Sequence, residues 1–367
     1  MRVLAAGPGH AYPLYYFTPS ITVPAEGLPP WLVFHRNTGR DTQLCAVDLS
    51  TGTERRLTQA DARDSGWAIW CEPSLDGVFN HLSALNPSRR EVFFFDGAGL
   101  AAVNVDSLQT RRVRDLSGRI PIGQSAFSPG GGLFAFIHAD EERFRGSLAA
   151  REAAGWEGHE AWRRTIPCVV ETLDAASGCT VGRFEVDFHV HHLIFVTEDL
   201  LLLNHQADGD GMWVAGIDGA GRRDLRPLDA HGRVCHQVVT AAGIWFETRE
   251  QVSGATFVGL YNLESDRWEE FELPFRGYHH TGFDPLGERL IVEVSGEFHR
   301  LYEVRHPFDA ARRDYVRLAD LEPYPGFGQR FHAHPFLTPC RRHVVFTASE
   351  GGMARVCALD LPDVEGD

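Results

Sequence analysis

Short apolar runs alternate with turns along the whole chain, and this pattern predicts a protein made almost entirely of β-strands. The runs are about six residues long and rich in aromatic and β-branched side chains, and Gly, Asp, Asn and Pro fill the turns between them. Examples are EVFFFDGAGLAAVNVD (91–106), RLIVEVSGEFHRLYEV (289–304) and HVVFTAS (343–349).

The strands also repeat as a unit. QSAFSPGGGLFAFI (124–137), HTGFDPLGERLIVEV (280–294) and HPFLTPCRRHVVFTA (334–348) are variants of one template, and QLCAVDLSTG (43–52) matches ARVCALDLPD (354–363). Units begin near residues 12, 80, 124, 192, 236, 280 and 334. A period of roughly 40 to 50 residues is typical of β-propeller blades. The sequence therefore predicts a seven-bladed β-propeller that occupies residues 1–367 as a single domain.

Two segments depart from the repeat. The last unit ends after its third strand, and we expect MRVLAA at the N-terminus to supply the missing outer strand, because an open ring leaves a bare sheet edge. Residues 140–165 carry Ala149, Ala153 and Trp156 at helical spacing, which predicts a helical insertion in blade three. This insertion is either a solvated flap or a lid over the channel mouth.

Composition narrows the possible partners and chemistry. The net charge of −15 and the lack of a basic run argue against nucleic acid. The chain contains no lysine, so lysine Schiff bases and lysine general bases are excluded, and a small anionic substrate would need a metal or an arginine. No run of 18 apolar residues and no signal-peptide pattern is present, so we expect a cytoplasmic protein that does not cross a membrane.

The cysteines do not suggest a disulfide framework. They are odd in number, scattered and without a CxxC pair, which favours buried free thiols in a reducing compartment. The seven are Cys45, Cys71, Cys168, Cys179, Cys235, Cys340 and Cys357.

Several of the 18 histidines occupy one slot of the repeat. His192, His236, His280 and His334 each lie four to five residues before the first turn of a unit. The innermost strand of a blade lines the central channel, so equivalent positions in neighbouring blades point into it. A single histidine is more often a structural core residue, but four in register favour a functional site.

The densest cluster is GQRFHAHPF (328–336). His332 and His334 are two residues apart, and we expect them on one face of a strand. Together with Gln329 from the preceding loop and His280 from the adjacent blade, they form a plausible four-ligand shell. Imidazole and oxygen ligands without thiolate suit Mn²⁺, Fe²⁺, Ni²⁺ or Zn²⁺, and the hard amide oxygen favours Mn²⁺.

The stretch GQRFHAHPFLTPCRRHVVFTASEGGMARVCALDLP (328–362) resembles the C-terminal blade of the oligogalacturonate lyases, which carry a Q-x-x-H-x-H-P motif followed by an "FTP" strand pair. The resemblance extends over most of the chain, but only this last blade is specific. It implies a seven-bladed propeller that cleaves short galacturonate oligomers by β-elimination, with Mn²⁺ held by three histidines and a glutamine.

The resemblance also assigns roles to residues. The metal ligands would be His280, Gln329, His332 and His334. The stretch VCHQVVT places His236 where the family has its general base. One departure stands out: the family has a catalytic arginine just before the Met-Trp pair of blade four, and this chain has Gly211 there.

Three further residues are candidates for substrate binding: His192, His205 and Arg249. The expected substrate is a small anionic oligosaccharide, and the expected reaction is lyase chemistry with His236 as the base. Two alternatives stay open at this point. One is a different metal-dependent enzyme on uronate glycosides, such as another lyase, an isomerase or a hydrolase. The other is a non-catalytic propeller that binds a protein partner.

Overall fold

The computed structural model describes residues 1–39, 41–60, 76–77, 82–86, 88–97, 99–148, 153, 161–162, 165–204, 211–226, 232–250, 253–276, 278–284, 286–295, 299–323 and 331–361. In this part of the chain, 30 strands form seven sheets, and each sheet is one blade of a β-propeller. The all-β, seven-bladed fold predicted from the repeat is therefore confirmed.

The strands, in chain order, are β1 (Arg2–Ala5), β2 (His10–Pro13), β3 (Trp31–Asn37), β4 (Asp41–Asp48), β5 (Glu54–Arg56), β6 (Asp76–Gly77), β7 (Ala84–Leu85), β8 (Glu91–Asp96), β9 (Gly99–Asn104), β10 (Thr110–Asp115), β11 (Arg119–Pro121), β12 (Ala126–Phe127), β13 (Leu133–Asp140), β14 (Cys168–Asp174), β15 (Thr180–Val186), β16 (Leu193–Phe195), β17 (Leu200–Asn204), β18 (Met212–Gly216), β19 (Arg223–Asp224), β20 (Arg233–Thr240), β21 (Gly243–Arg249), β22 (Ala255–Asn262), β23 (Arg267–Arg276), β24 (Tyr278–Phe283), β25 (Arg289–Ser295), β26 (His299–Arg305), β27 (Asp314–Leu321), β28 (Phe336–Leu337), β29 (His343–Glu350) and β30 (Met353–Asp360).

Each blade is built from strands that are consecutive in the chain, except the last. Blades 1 to 6 contain β2–β6, β7–β10, β11–β15, β16–β19, β20–β23 and β24–β27. Neighbouring strands pair antiparallel throughout, apart from the short parallel pair of β6 with β4. The first strands of the blades lie within a few residues of the predicted unit starts, because the turn residues that end each strand also mark the repeat in the sequence.

Blade 7 is completed by the N-terminus, as predicted. Its order is β1–β30–β29–β28, so the first strand of the chain is the outer strand of the last sheet. Arg2 pairs with Ala358 and Val3 pairs with Cys357. This pairing covers the open edge of β30 and ties the two ends of the chain to one sheet.

The backbone divides into two compact units. The first contains Met1–Gly39, Leu44–Arg56 and His231–Asp367, and the second contains Arg40–Gln43 and Leu57–Ala230. The first unit holds blades 5 to 7 and most of blade 1, and it contains the residues of the site described below.

Within the first unit, apolar side chains of neighbouring blades pack face to face. Between blades 5 and 6 the buried residues include Trp245, Val258, Phe283 and Leu290. A second cluster, with Ile291, Leu301, Val344 and Phe346, joins blades 6 and 7, and a third, with Leu32, Phe34, Val345 and Val356, joins blades 7 and 1. Burying both faces of each sheet in this way explains why the strands are continuous apolar runs.

The insertion in blade 3 begins as a helix, as predicted. Residues 141–148 are helical and follow directly after β13. The side chain of Asp140 caps this helix, because its Oδ1 accepts a hydrogen bond of 2.8 Å from the N–H of Arg143. Of the three residues that suggested a helix, only Ala153 lies within the described residues, and it is helical; Ala149 and Trp156 lie outside them. None of the described helical residues belongs to a segment that is long and apolar enough to cross a membrane.

The described cysteines carry no disulfide. Six are present in this part of the chain: Cys45, Cys168 and Cys357 are buried, Cys235 is half-buried, and Cys179 and Cys340 are exposed. Cys71 lies outside the described residues. The prediction of free thiols is thus confirmed for these six. The prediction that they are buried is wrong for Cys179 and Cys340, which lie in the connections between strands.

Candidate active site

Three histidines from blades 6 and 7 meet in the first unit, and we call them the histidine triad: His280, His332 and His334. Their ligand nitrogens all lie within 4.8 Å of one another. Nδ1 of His332 and Nε2 of His280 are 3.5 Å apart. All three side chains are buried. The structure therefore brings together the three imidazoles that the sequence proposed as metal ligands.

The prediction that His332 and His334 share one face of a strand is wrong, because β28 begins only at Phe336. Both histidines lie in an irregular segment before it. The next residue, Pro335, has no N–H with which to continue a sheet ladder. Instead, the N–H of Thr347 donates a hydrogen bond of 2.8 Å to the carbonyl of Ala333. A bent segment, and not strand alternation, places both rings in the triad.

Two site residues, His236 and His334, have left-handed backbone. Their φ angles are 50° and 41°. This conformation costs a non-glycine residue about 1–3 kcal/mol and persists where the surrounding structure imposes it. At His236 the cause is a β-bulge, because the pairing of β20 with β21 shifts between Cys235 and Val238. The strained backbone thus occurs at the two residues, His236 and His334, whose rings lie in the site.

Gly282 allows the segment around His334 to approach blade 6. A Cβ atom at residue 282 would lie 2.0 Å from the carbonyl oxygen of Pro335 and 2.7 Å from its carbonyl carbon. These are main-chain atoms, which cannot rotate away as a side chain can. Residues 280 and 282 lie on the same face of β24, so this close approach occurs beside His280.

A buried carboxylate holds His280 in a fixed orientation. Glu293 of β25 is the cross-strand partner of His280, and its Oε2 accepts a hydrogen bond of 2.9 Å from Nδ1 of His280. Its second oxygen, Oε1, lies 2.9 Å from Nε2 of His299 in β26. With Nδ1 as the donor, a neutral His280 directs the lone pair of Nε2 toward His332. A hydrogen-bonded carboxylate behind a histidine is the usual arrangement behind a metal-ligating imidazole.

The surroundings of His280, His332 and Glu293 favour the protonation states that bind a metal. Burial lowers the pKa of His280 well below its ordinary value, and the positive charge of His236 lowers it further. Burial also lowers the pKa of His332. Burial alone would raise the pKa of Glu293, but hydrogen bonds from His280 and His299 outweigh it and hold that pKa well below the usual range. Neutral imidazoles and an ionised carboxylate result at neutral pH.

His236 lies next to the triad and is held in a similar way. Its ring centroid is 4.4 Å from that of His280. Nδ1 of His236 is 2.8 Å from Oε2 of Glu247 in β21, and the hydroxyl of Thr281 donates to the other oxygen of that carboxylate. Both His236 and Glu247 are buried. The ring is thereby fixed, with Nδ1 toward the acid.

The surroundings of His236 favour its protonated form. Burial by itself lowers the pKa, but the nearby Cys235 and the Glu247 carboxylate outweigh burial and raise the pKa of His236 to about 10. A proton taken up by this ring is therefore well stabilised, which is a property of a strong base. Positive charge on His236 lowers the pKa of His280, and the repulsion is mutual. Positive charge at the triad therefore lowers the pKa of His236 and favours its neutral form.

Two tyrosines that the sequence reading missed cover these rings. Tyr16 stacks on His334, with ring centroids 5.9 Å apart and an interplanar angle of 20°. It also meets His236 edge-on at 5.7 Å, and Tyr15 lies 5.0 Å from His334. Both tyrosines are buried. They follow β2 of blade 1 and enclose the histidines with aromatic surface.

The remaining predicted site residues have different outcomes. Gln329 and His205 lie outside the described residues. His192 lies in the second unit, where its Nδ1 is 2.8 Å from Nδ2 of Asn204. Arg249 lies at the exposed end of β21, with its backbone paired to that of Arg233. Roles for His192, His205 and Arg249 in substrate binding stay predictions.

The donor set of the triad fits a divalent transition metal. Ligands roughly 2.0–2.3 Å from one ion lie a few ångströms apart, which is the range of the triad nitrogens. The nitrogens of His280 and His332 face each other at 3.5 Å. Two neutral imidazole lone pairs at that distance repel unless a proton or a metal ion lies between them. Imidazole nitrogen suits Mn²⁺, Fe²⁺, Ni²⁺ and Zn²⁺ alike.

Several important residues gave only a weak signal in the sequence. Glu247 lies 11 residues after its partner His236, and Glu293 lies 13 residues after its partner His280. Each glutamate is on the next strand of the same blade. A single glutamate within a predicted strand gives no sign of a functional role until the fold shows which histidine it contacts. Tyr15 and Tyr16 stand out only as part of the aromatic run LYYF.

Solved structures with the same fold include two oligogalacturonate lyases. One, from Vibrio parahaemolyticus, has a TM-score of 0.80 and 14% sequence identity over 98% of this chain and 93% of that chain. The other, an oligogalacturonate lyase in complex with manganese, has a TM-score of 0.76 and 16% identity over 96% of this chain and 91% of that chain. An acylaminoacyl peptidase from Pyrococcus horikoshii has a TM-score of 0.58 and 10% identity over 97% of this chain and 53% of that chain. No protein-family model matches the chain, and no curated protein matches it in a sequence search. At these identities the likeness establishes the fold.

Proposed function

We propose that the protein is a metal-dependent lyase that cleaves short, 4-linked uronic-acid oligosaccharides by β-elimination. One observation carries the proposal: a buried imidazole, His236, lies beside a triad of buried imidazoles, with ring centroids of His236 and His280 4.4 Å apart. Elimination next to a carboxylate requires a metal site and a separate base within one enclosed site.

In this proposal the metal is held by His280, His332 and His334, with Gln329 as the fourth ligand. The preferred ion is Mn²⁺, since the structural neighbours include an oligogalacturonate lyase in complex with manganese. When bound, a divalent ion would supply positive charge that neutralises the uronate carboxylate and makes the proton on C5 of the sugar more acidic. Glu293 keeps His280 oriented throughout, through the hydrogen bond to Nδ1.

His236 acts as the base. Its Nε2, the nitrogen turned away from Glu247, takes the proton from C5 of the sugar. The electron pair of the C5–H bond becomes the C4–C5 double bond, and the bond from C4 to the leaving oxygen breaks. The oxygen keeps that bonding pair and takes a proton from solvent as the product leaves. Glu247 stabilises the imidazolium that results, because its Oε2 lies 2.8 Å from Nδ1. Tyr15 and Tyr16 exclude water from this step by covering the rings.

The test measures the absorbance of the product. Elimination creates a C4–C5 double bond conjugated with the carboxylate, which absorbs in the ultraviolet, whereas hydrolysis does not. With Mn²⁺ and galacturonate oligomers we expect absorbance to rise for the wild type. We expect the rate of His236→Ala to fall on the order of 10²- to 10⁴-fold.

The Mn²⁺ content of the variant shows whether His236→Ala removes only the base or also disrupts the metal site. His236→Ala should bind as much Mn²⁺ as the wild type, because the base is not a ligand. The matched control is His343→Ala, a histidine in the same unit that pairs with Asp360 away from the triad, and it should keep full activity. Absence of an ultraviolet-absorbing product from every uronate oligomer tested would contradict the lyase proposal.

A second candidate function is elimination or another metal-dependent reaction on a different uronate glycoside. Gly211 favours it, because the resemblance implies an arginine at this position, and the glycine here is buried. We expect Gly211→Arg to raise or preserve turnover if galacturonate oligomers are the substrate. Loss of turnover of some other uronate glycoside in Gly211→Arg would support the second candidate instead.

A further inference from the structure

We propose that Cys235, His236 and Glu247 form a second metal site, selective for Zn²⁺, through which zinc switches off the base. The inference rests on the proposed role of His236. The ligand atoms of the three residues lie within 4.8 Å of one another. The site is distinct from the histidine triad in its donors, because it offers a thiol and a carboxylate as well as an imidazole.

The β-bulge explains how these donors converge. In a regular strand, neighbouring residues point to opposite faces, so Cys235 and His236 could not share a ligand. The extra residue in β20 breaks this alternation, and the positive φ of His236 turns its ring. Cys235 is the direct cross-strand partner of Glu247, while Nδ1 of His236 lies 2.8 Å from that carboxylate. All three donors therefore lie on one side of the bulge.

The chemistry of the donors selects the ion. Thiolate, imidazole and carboxylate are the ligands that zinc takes in proteins. A hard ion such as Mn²⁺ gains little from a thiolate, so the two sites differ in preference. One thiolate and one carboxylate also balance the charge of a divalent ion, which allows a neutral unit to lie beside the triad. Thr281 already holds Glu247 in place from the other side.

Coordination would block the base through its tautomer. The nitrogen that faces Glu247 is Nδ1, so zinc would bind His236 there and displace the Nδ1 proton. A neutral ring that is metal-bound at Nδ1 carries its one proton on Nε2. That nitrogen then has no lone pair with which to accept the C5 proton. Zinc at this site therefore inhibits, whereas manganese at the triad supports the reaction.

The test uses Co²⁺ as a spectroscopic substitute for zinc in the full-length, metal-free protein. A cobalt–thiolate bond produces an intense near-ultraviolet charge-transfer band, and cobalt bound only by imidazoles does not. We expect this band in the wild type and in His332→Ala, and its loss in Cys235→Ser. Added Zn²⁺ should abolish the band in the wild type. Cys340→Ser, which removes an exposed cysteine outside the cluster, is the matched control and should keep the band.

Zinc affinity and inhibition complete the test. By calorimetry in the His332→Ala background, which weakens zinc binding at the triad, adding Cys235→Ser should weaken Zn²⁺ binding at least about tenfold. In any assay with turnover, zinc should inhibit the wild type more strongly than Cys235→Ser, each relative to its own zinc-free rate. A cobalt-saturated wild type without a thiolate band, or a band that persists in Cys235→Ser, overturns the second site. The absorption needs no substrate, so its outcome is independent of whether the lyase proposal holds.

Discussion

His236 and His280 occupy equivalent positions in blades 5 and 6, and each is held by a glutamate from the next strand. Nδ1 of His236 lies 2.8 Å from Glu247, and Nδ1 of His280 lies 2.9 Å from Glu293. Their electrostatics nevertheless differ. Cys235 and Glu247 raise the pKa of His236, while burial and the charge of His236 lower that of His280. The same histidine–glutamate pair thus favours the protonated ring in blade 5 and a neutral metal ligand in blade 6.

Alanine at His332 or His334 should abolish Mn²⁺ binding at the histidine triad without unfolding the protein. The wild type should hold about one divalent ion per chain in equilibrium dialysis with Mn²⁺. Each variant removes one imidazole, while the apolar clusters between the blades stay intact. Metal-free wild type and variants should therefore give similar circular dichroism spectra. If both variants fail to fold, the histidines are structural, and the metal proposal loses its support.

Glu293→Gln should weaken metal binding at the triad. The amide keeps the size of the side chain but removes the charge that orients and polarises His280. Loss of such a supporting carboxylate typically costs about 10- to 100-fold in metal affinity. Titration of the metal-free protein with Mn²⁺ measures this directly.

The matched control is Glu303→Gln, a buried glutamate of the same blade that pairs with Arg289 and Arg305 and not with the triad. It should lower the free energy of unfolding while leaving the affinity for Mn²⁺ unchanged. Equal affinities in the two variants would argue against a role of Glu293 in positioning His280.

Gly282→Ala should displace the segment that carries His334. The new Cβ would meet the carbonyl oxygen of Pro335 at 2.0 Å, so the backbone must move. We expect a loss of stability of about 1–3 kcal/mol, as for other overpacked positions, together with weaker binding of Mn²⁺. Gly132→Ala is the control, since a Cβ there meets nothing within 4 Å. Unchanged metal affinity in Gly282→Ala would show that the segment adjusts without moving His334.

Glu171 of β14 should make stability depend on pH. This buried carboxylate accepts hydrogen bonds from His138 at 3.2 Å, from Arg114 at 3.0 Å and from Thr180 at 2.6 Å. Burial would raise its pKa, but the hydrogen bonds from His138 and Thr180, together with the positive charges of Arg114 and His138, outweigh burial and lower the pKa of Glu171 to about 2. Its contribution to stability is therefore complete above the unfolded value of 4.5 and is lost as pH falls toward 2.

Glu171→Gln should reduce the free energy of unfolding by about 1–3 kcal/mol at pH 7. The difference from the wild type should shrink as the pH falls from 4.5 toward 2, which urea unfolding at several pH values can measure. Glu185→Gln is the control, because that glutamate forms an exposed pair with Arg183, and it should change stability little at any pH. A constant difference between Glu171→Gln and the wild type would show that charge is not the source of the effect.

Much of the architecture is local in the sequence and could be read from it. The strand runs, the turn residues and their period predicted seven blades, and the unfinished last unit predicted that MRVLAA would close blade 7. The repeat also placed His192, His236, His280 and His334 at equivalent positions. These features follow from the sequence because hydrophobic spacing and turn chemistry act over a few residues, and because each blade repeats them.

The tertiary structure alone decided how the site is assembled. His332 and His334 meet His280 through a bent segment before Pro335. This arrangement requires the close approach of that proline to Gly282 in blade 6. Tyr16 reaches the triad from a position more than 200 residues away in the chain. Cys235 joins His236 and Glu247 only because a bulge breaks strand alternation. Such contacts depend on packing between distant segments, and no local pattern of residues specifies them.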